Sequence, residues 1–407
     1  MMTGADGTYD YKAMAAGIVL AGGEGMGNLL PVVEKELLHY RILDAMMREG
    51  FFSSLVFQGG TSLRLCHGSP RYSEDLDFAG GTSFDMDTLK GLGSCISDSL
   101  SGMGDDVTVR VKEPRPDADG LTRRWRIAIR TAGQRKDLPS QTIKLEVASI
   151  PAYEPQHRPA LVNYPMFPAL SGQIILDVES PTEILADKLL SYACASHLRR
   201  RDLWDMCWLA SRGDVDSRRA MELAESKSSD YGEEGLWADR ADRVAGVADV
   251  IGSDAFADEM RRFLPAGLMT STVESPRWSA WAIEQIGTLY GTPGTPSSAD
   301  AVPGFPIFGA SNDSSPNARY LSRFQAPRER RTLFARTESD IAAAFREETA
   351  NHSWNADDLA SQAGIDPRFA DALLQRGEAP IEAVFSAADA LGIDIAALPL
   401  SSLGNTR

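Results

Sequence analysis

Residues 55–78 constrain the fold of this 407-residue chain more than any other stretch. An apolar run ends at Gly59, Gly60 and Thr61, a helix-like segment follows, and Asp75 and Asp77 come next. Glycines at a strand end let backbone N–H groups approach a phosphate, and a helix N-terminus favours an anion. Aspartates at i and i+2 on a strand share a face and repel each other unless a cation lies between them. The order predicts metal-dependent phosphoryl or nucleotidyl transfer; the alternative is a tight turn beside an exposed acidic strand end.

Glu146 is the candidate for a third carboxylate. It lies in the strand-like segment 143–147, between apolar residues, where a buried carboxylate is costly unless it is paired or bound to a metal. An edge strand with Glu146 facing water is the alternative.

A lysine and two further aspartates follow on predicted helices. Ser180 is the predicted N-cap of a helix in which Glu183 completes a capping box, and Lys188 lies on its second turn. A lysine near a helix N-terminus opposes the helix dipole, so a phosphate ligand explains Lys188 better. Asp202 and Asp205 share a face of the next helix and could orient Lys188, contact the metal or bind a base or ribose. An ion pair between Arg201 and Asp205 is the alternative for Asp205.

Composition excludes several classes of protein. A formal charge of −16 argues against a chain that coats nucleic acid, although a local basic groove remains compatible with it. The four cysteines form no metal-binding spacing, which predicts reduced thiols in a cytoplasmic protein. The early apolar stretch at 13–21 is too short for a membrane span and lacks the basic region of a signal peptide.

The order of apolar patterns predicts the domains. Residues 1–30 are expected to be a flexible N-terminal segment, and their LAGGEGMGNLLP stretch is interpreted as a chance likeness to sugar-phosphate nucleotidyltransferases. Helices at 31–50 and 85–102 and strands at 107–111, 125–129, 142–150 and 174–178 predict a catalytic lobe over 31–180. Helical patterns predict a second lobe over 181–290. The arginines around 123–136 are read as a solvated edge or as a site for an RNA backbone.

Residues 291–317 have the composition of a linker, and a helical region over 318–407 follows. Within it, residues 354–398 resemble a helix-turn-helix of the XRE type. Residues 353–407 carry eight acidic and three basic side chains, whereas DNA binding normally needs the opposite balance. Contact with a protein is therefore at least as well supported as binding to operator DNA. A helix-turn-helix often pairs, so a homodimer is also a prediction.

Over residues 30–290 the chain resembles the AbiEii nucleotidyltransferase toxins, the MenT-like group of the DNA polymerase β superfamily. The resemblance rests on five motifs in the family's order: residues 57–61, 71–78 and 144–147, the segment 183–188, and 201–205. It implies an α+β bilobed fold, with a small mixed sheet and then helices, followed here by a small all-α domain. Two departures are Thr61, where serine is common, and Glu146, where aspartate is frequent.

The resemblance also implies chemistry: transfer of nucleoside monophosphate from an NTP to the 3′ end of tRNA, which blocks translation, in a toxin–antitoxin or phage-defence system. Asp75, Asp77 and Glu146 would hold Mg²⁺, and Asp202 would orient Lys188 or the nucleotide. The residues expected to bind the phosphates are Gly59, Gly60, Thr61, Arg71 and Lys188. The C-terminal region would be a fused antitoxin that neutralises the toxin or binds operator DNA.

Three alternatives remain at this point. The acceptor could be a protein, or it could be a small molecule of the aminoglycoside type. The chain could also be a transcriptional regulator whose nucleotidyltransferase domain is inactive.

Overall fold

The computed structural model describes residues 11–21, 26–101, 103, 107–115, 120–130, 141–161, 163–164, 174–291, 331–334, 337–352, 354–391 and 393–397. The chain divides into two compact units, Met1–Phe324 and Gln325–Arg407. The predicted linker at 291–317 lies almost wholly outside the described residues. None of the described helices is long and apolar enough to span a membrane.

A seven-stranded mixed sheet forms the N-terminal lobe, with strand order β3-β4-β5-β2-β1-β7-β6. Its strands are β1 Val56–Gln58, β2 Leu76–Ala79, β3 Thr108–Lys112, β4 Thr122–Arg130, β5 Gln141–Ala148, β6 Pro155–Pro159 and β7 Ile175–Glu179. Its helices are α1 Tyr11–Ala21, α2 Leu30–Arg48, α3 Gly59–Cys66 and α4 Leu92–Ser101. β2 pairs in parallel with β5 and antiparallel with β1. The glycine turn and the predicted carboxylates therefore lie on central strands.

The alternation of side chains in β4 shows why the sheet has one covered and one open face. Trp125, Ile127 and Ile129 are buried in the core, together with Ile143 and Leu145 of the neighbouring β5. The residues between them on β4 point to the opposite face, because strand side chains alternate with a period of two. Helices α2 and α4 contribute to the same core, so the opposite face is left for solvent, for the site and for a small apolar cluster in which Tyr231 packs on Ala79 and Ala148.

The predicted flexible N-terminus is partly wrong. Residues 11–21 form helix α1, and the side chains of Tyr11, Met14 and Ile18 are buried in the core of the lobe. The physical reason is the spacing of three and four residues between these apolar side chains, which gives the helix one buried face. The remaining residues up to 25 lie outside the described part of the chain.

A helical lobe follows the sheet. It comprises α5 Pro181–Cys194, α6 Arg200–Ala210, α7 Ser217–Tyr231, α8 Glu234–Ala238, α9 Ala241–Ala245, α10 Val247–Ile251, α11 Asp254–Met260, α12 Ala266–Ser271 and α13 Pro276–Leu289. A second apolar core, which includes Trp204 and Trp278, holds these helices together. Leu63 of α3 belongs to this second core, so the helix after the glycine turn connects the two lobes.

The C-terminal unit has its own apolar core around Phe345 and Leu373. It contains α14 Glu338–Asn351, α15 Ala356–Ala363, α16 Pro367–Arg376, α17 Ile381–Leu391 and a parallel pair of strands, β8 Arg331–Phe334 and β9 Ile393–Ala397. Helices α15 and α16 and the turn at Gly364 lie within residues 354–398, the segment that resembles a helix-turn-helix. The strand pair corrects the expectation of an all-α domain, because the apolar alternation at 393–397 forms a strand within the region that was predicted to be helical. The assignment of the C-terminal unit as a DNA-binding helix-turn-helix stays a prediction.

Candidate active site

Asp77 and Glu146 lie side by side at the centre of the sheet. They are direct partners in the parallel β2–β5 pair, and Gln58 is the partner of Asp77 on β1. Cross-strand partners face the same side of a sheet, so these three side chains form one row. Burial, the charge of Glu146 and that of Asp75 raise the pKa of Asp77 to about 7, against the opposing effect of Lys188 and Arg199. The row therefore carries negative charge that Lys188 and Arg199 neutralise only in part.

The other two carboxylates each have a cationic partner. Asp75 accepts hydrogen bonds from the backbone N–H of Lys144 at 3.1 Å and from its Nζ at 3.2 Å. Glu146 accepts a hydrogen bond from Nε of Arg124 at 2.5 Å. Neither contact was predicted, and Arg124 was given only as part of a solvated edge or of a site for an RNA backbone. Lys144 is on β5, the strand of Glu146, and Arg124 is on the neighbouring β4, so the positive charge of both side chains stabilises the carboxylates.

These residues fit the predicted Mg²⁺ in chemistry, although their side chains are not gathered around one point. Across the part of the chain that is described, no group of three histidine, cysteine, aspartate or glutamate side chains is close enough to hold a metal ion. The three carboxylates still provide the all-oxygen donors that Mg²⁺ prefers. Burial first, and then the charges of Glu146 and Asp75, raise the pKa of Asp77, and a cation beside this carboxylate would offset all three effects.

The glycine turn is packed directly against the carboxylates. Gly59 has φ +79°, and a Cβ there would lie 2.8 Å from Oδ2 of Asp77. A Cβ on Gly60 would lie 2.7 Å from Nη2 of Arg71 and 2.8 Å from Oγ of Ser73. Both positions therefore need glycine because of close approaches within the protein. Helix α3 starts at this turn without a side-chain hydrogen bond from its N-cap residue, so its first N–H groups are suited to an anion.

Thr61 and Arg71 have different surroundings from those expected of phosphate ligands. The buried Thr61 hydroxyl donates to the carbonyl oxygen of Asp75. The buried Arg71 guanidinium donates to both carboxylate oxygens of Asp205, at 2.6 and 2.7 Å, and to the carbonyl oxygen of Tyr72 at 2.7 Å. These contacts hold the turn and the aspartate segment in place, so the geometry supports positioning roles for the two side chains.

Lys188 lies between two aspartates of α6. Its Nζ is 2.7 Å from Oδ1 of Asp202 and 3.0 Å from Oδ2 of Asp205. Burial alone would lower the pKa of Lys188, but the two carboxylates raise it, so the ammonium stays charged. The prediction that Asp202 orients Lys188 agrees with this contact. The alternative for Asp205, an ion pair with Arg201, does not form, because Arg201 lies 3.5 Å from Glu74 instead.

Asp205 completes a buried chain of charges. Burial raises its pKa, but Arg71 and Lys188 together bring the pKa below its usual value. Asp205 therefore joins the segment that carries Asp75 to the helix that carries Lys188. Oδ2 of Asp202 is buried and has no hydrogen-bond partner in the structure as described, which leaves one carboxylate oxygen beside Lys188 without a donor.

A buried lysine was missed entirely. Nζ of Lys227 lies 2.8 Å from Glu179, 2.9 Å from Glu183 and 2.7 Å from Asp187, and we call these four side chains the Lys227 cluster. Burial lowers the pKa of Lys227, but the three carboxylates raise it well above its ordinary value. Nothing in the polar sequence of α7 singles Lys227 out.

The predicted N-cap of α5 is present, because Ser180 Oγ accepts the N–H of Glu183 at 3.0 Å. The Glu183 carboxylate, predicted to complete the capping box, is used differently. It accepts the backbone N–H groups of Tyr153 and Glu154, at 2.8 and 2.7 Å, in addition to its contact with Lys227. These stronger buried partners fix the carboxylate away from the N-cap backbone.

A mixed sheet with paired carboxylates, a glycine turn and a buried lysine on the following helical lobe defines a nucleotidyltransferase fold. Residues 41–285 match the family described as nucleotidyl transferase AbiEii toxin, type IV toxin–antitoxin system. The chain belongs to this family, which confirms the resemblance predicted from the motifs. A comparison with curated proteins gave no match.

Solved structures include two similar chains. MenT4, a nucleotidyltransferase toxin from Mycobacterium tuberculosis H37Rv, matches with 21% identity and a TM-score of 0.51, covering 69% of this chain and 89% of MenT4. JHP933 from Helicobacter pylori matches with 16% identity and a TM-score of 0.37, covering 64% and 92%. The likeness to MenT4 confirms the predicted fold of the catalytic unit.

Proposed function

We propose that this chain is a toxin that transfers nucleoside monophosphate from an NTP to an RNA acceptor, the 3′ end of tRNA, with Mg²⁺ as cofactor. The observation that carries the proposal is the row formed by Asp77 and Glu146, with the glycine turn on one side and the Lys188 ammonium nearby. Family membership supports the nucleotidyltransferase activity. The tRNA acceptor rests on the resemblance of the motifs.

Each of the chain's own groups has a role in this reaction. Asp75, Asp77 and Glu146 would hold Mg²⁺, which supplies charge stabilisation at the phosphates when it is bound. The N-terminal N–H groups of α3 bind triphosphate oxygens. Two of the three N–H groups of Lys188 are used by aspartates, which leaves one for a phosphate oxygen of the substrate.

The transfer itself is a displacement at the α-phosphorus of the NTP. The 3′ hydroxyl oxygen of the acceptor forms a bond to this phosphorus, and the bond from the α-phosphorus to the bridging oxygen breaks. Glu146 accepts the hydroxyl proton, because its carboxylate lies directly beside Asp77 in the row. Pyrophosphate leaves with its charge neutralised by Lys188. Asp202 and Asp205 hold the ammonium in position throughout.

Labelled NTPs incubated separately with total RNA, total protein and an aminoglycoside test the activity and the acceptor together. Wild-type protein should label RNA, EDTA should stop the labelling, and added Mg²⁺ should restore it. Asp77→Asn should reduce transfer by at least a thousandfold, whereas the exposed control Asp98→Asn should not change it. Label in protein or drug alone would reject RNA as the acceptor, and full activity of Asp77→Asn would reject the site.

For the C-terminal unit we propose that it neutralises the toxin. The polar contacts of α16 favour this role over DNA binding, because Arg368 lies 2.8 Å from Asp366 and Arg376 lies 3.3 Å from Glu378. Both arginines of the helix thus have acidic neighbours that oppose attraction to DNA phosphates. Deletion of residues 318–407 should make expression toxic, and toxicity should disappear with Asp77→Asn. A harmless, folded and active fragment would reject neutralisation, and binding of the full chain to its own upstream DNA would favour the operator role.

A further inference from the structure

The outer three strands of the sheet carry positive charge on their open face. On β4, residues 124, 126 and 130 are exposed, and on β3 residues 110 and 112 are exposed. We call the basic strand face the set Arg110, Lys112, Arg124, Arg126, Arg130 and Lys144. The segments β3, β4 and β5 contain one acidic residue, Glu146. In a chain with a formal charge of −16, this is a local reversal of sign.

The register of the strands aligns these cations toward the catalytic carboxylates. Lys112 is the partner of Arg126, and Arg126 is the partner of Lys144. Lys144 in turn contacts Asp75 at 3.2 Å. Neighbouring strands lie about 4.8 Å apart, so this row of cations extends roughly 10 Å from the carboxylates toward the edge of the sheet.

The two innermost cations form ion pairs with the catalytic carboxylates, whereas the outer four do not. Arg124 and Lys144 contact Glu146 and Asp75. By contrast, Arg110, Lys112, Arg126 and Arg130 form no ion pair with a described residue. Exposed cations that form no ion pair with a described carboxylate retain their attraction for a polyanion.

We propose that the basic strand face binds the phosphate backbone of the acceptor RNA and leads its 3′ end to Asp77. This inference rests on the proposed function, and it adds the surface that holds the acceptor. Trp125 is the one aromatic residue of β3, β4 and β5, and it is buried on the opposite face, so the basic strand face itself offers no aromatic ring for base stacking. Recognition here is therefore of phosphates and independent of base sequence.

RNA binding by the full chain, measured at several salt concentrations without NTP, tests the surface separately from catalysis. Each phosphate contact to a single strand contributes about −0.7 to the slope of log affinity against log salt. The variant R110Q/R126Q should therefore bind a labelled single-stranded RNA at least tenfold more weakly at low salt. Its slope should be shallower by about 1.4, from two contacts at about 0.7 each. The charge-keeping variant R110K/R126K should retain most of the slope.

The matched control is R48Q/R218Q, which removes two exposed arginines of α2 and α7 outside the sheet. Equal salt slopes for R110Q/R126Q and this control would overturn the proposal that the basic strand face binds RNA, as would wild-type protein that binds no RNA. So would binding of polyglutamate in preference to RNA, since that result identifies an acidic protein as the partner. A raised KM for the NTP with unchanged RNA affinity would also overturn it. Failure of the proposed function is a separate result: wild-type protein that binds RNA through this face but labels none.

Discussion

Replacement of Lys227 by methionine tests whether its positive charge stabilises the Lys227 cluster. The substitution keeps a long apolar side chain but removes the cation that contacts Glu179, Glu183 and Asp187, all within 2.9 Å. Breaking a buried ion pair by removing one partner typically costs about 3–5 kcal/mol, because a buried charge is left uncompensated. We therefore expect a large loss of stability from a residue that contacts no substrate.

The size of the loss can be bounded from proton uptake. The variant can relieve the excess charge by protonating one carboxylate, and for a glutamate with an ordinary pKa near 4.3 this costs about 3.7 kcal/mol at pH 7. The same protonation costs about 1 kcal/mol at pH 5. In folded wild type, burial and Asp187 already raise the pKa of Glu179. The folded variant holds one proton more than folded wild type, and the unfolded chain has released that proton, so the stability of the variant falls relative to wild type as the pH rises. The deficit relative to wild type should thus grow from about 1 kcal/mol at pH 5 to about 4 kcal/mol at pH 7.

Urea unfolding at pH 5, 6 and 7 measures this deficit, with Lys90→Met as the control because Lys90 is exposed. At pH 7 the melting temperature should fall by roughly 10 °C, from about 2–4 °C per kcal/mol for a unit of this size. A deficit that is independent of pH would refute the electrostatic explanation and leave only lost packing. A deficit below about 1 kcal/mol at pH 7 would refute the buried cluster itself.

Three further predictions concern the turn, the charge chain and the carboxylates. Gly60→Ala should lower transfer at least tenfold and lower the free energy of unfolding in urea by about 1–3 kcal/mol, because the new Cβ would meet Arg71 and Ser73. The control Gly27→Ala should behave as wild type, because a Cβ at Gly27 would have no atom within 4 Å. Asp205→Asn should cost roughly 3–5 kcal/mol in the same assay by leaving two buried cations short of charge, and a smaller cost than for an exposed aspartate would contradict the pairing. In protein free of metal, Asp77 should titrate near pH 7 by carboxylate NMR, and the stability that its raised pKa contributes should be present below about pH 4 and disappear as the pH rises through 7. Addition of Mg²⁺ at pH 6.5 in weak buffer should release protons, and no release would contradict a metal site at this residue.

The central part of the site could be predicted from sequence because its signals are local. The apolar run before Gly59, the spacing of Asp75 and Asp77, and the apolar neighbours of Glu146 each reflect a strand that had to be buried on one face. Parallel pairing of β2 with β5 then brought the carboxylates into one row. That pairing joins segments about 70 residues apart, and periodicity within a segment carries no information about register between segments.

Other features could not be predicted because they depend on tertiary partners. Arg71 resembles a phosphate ligand in sequence, yet its guanidinium is satisfied by Asp205, which is 134 residues away. Glu183 matches a capping box, but Lys227 and two backbone N–H groups compete for its carboxylate. The edge strand β6, Pro155–Pro159, lacks an apolar alternation because it has little core to face, so no sequence pattern marked it.

The open face of the sheet changes sign from its edge toward its centre. Outer strands present Lys112 and Arg126, whereas the central row ends in Glu146 and Asp77. A polyanion is therefore attracted by the outer strands and repelled at the carboxylates, so binding of RNA and transfer of the nucleotide depend on different residues. Asp77→Asn removes only the repulsive charge. It should bind RNA at least as tightly as wild type while transferring nothing, and weaker RNA binding by this variant would show that the carboxylates, rather than the outer cations, hold the acceptor.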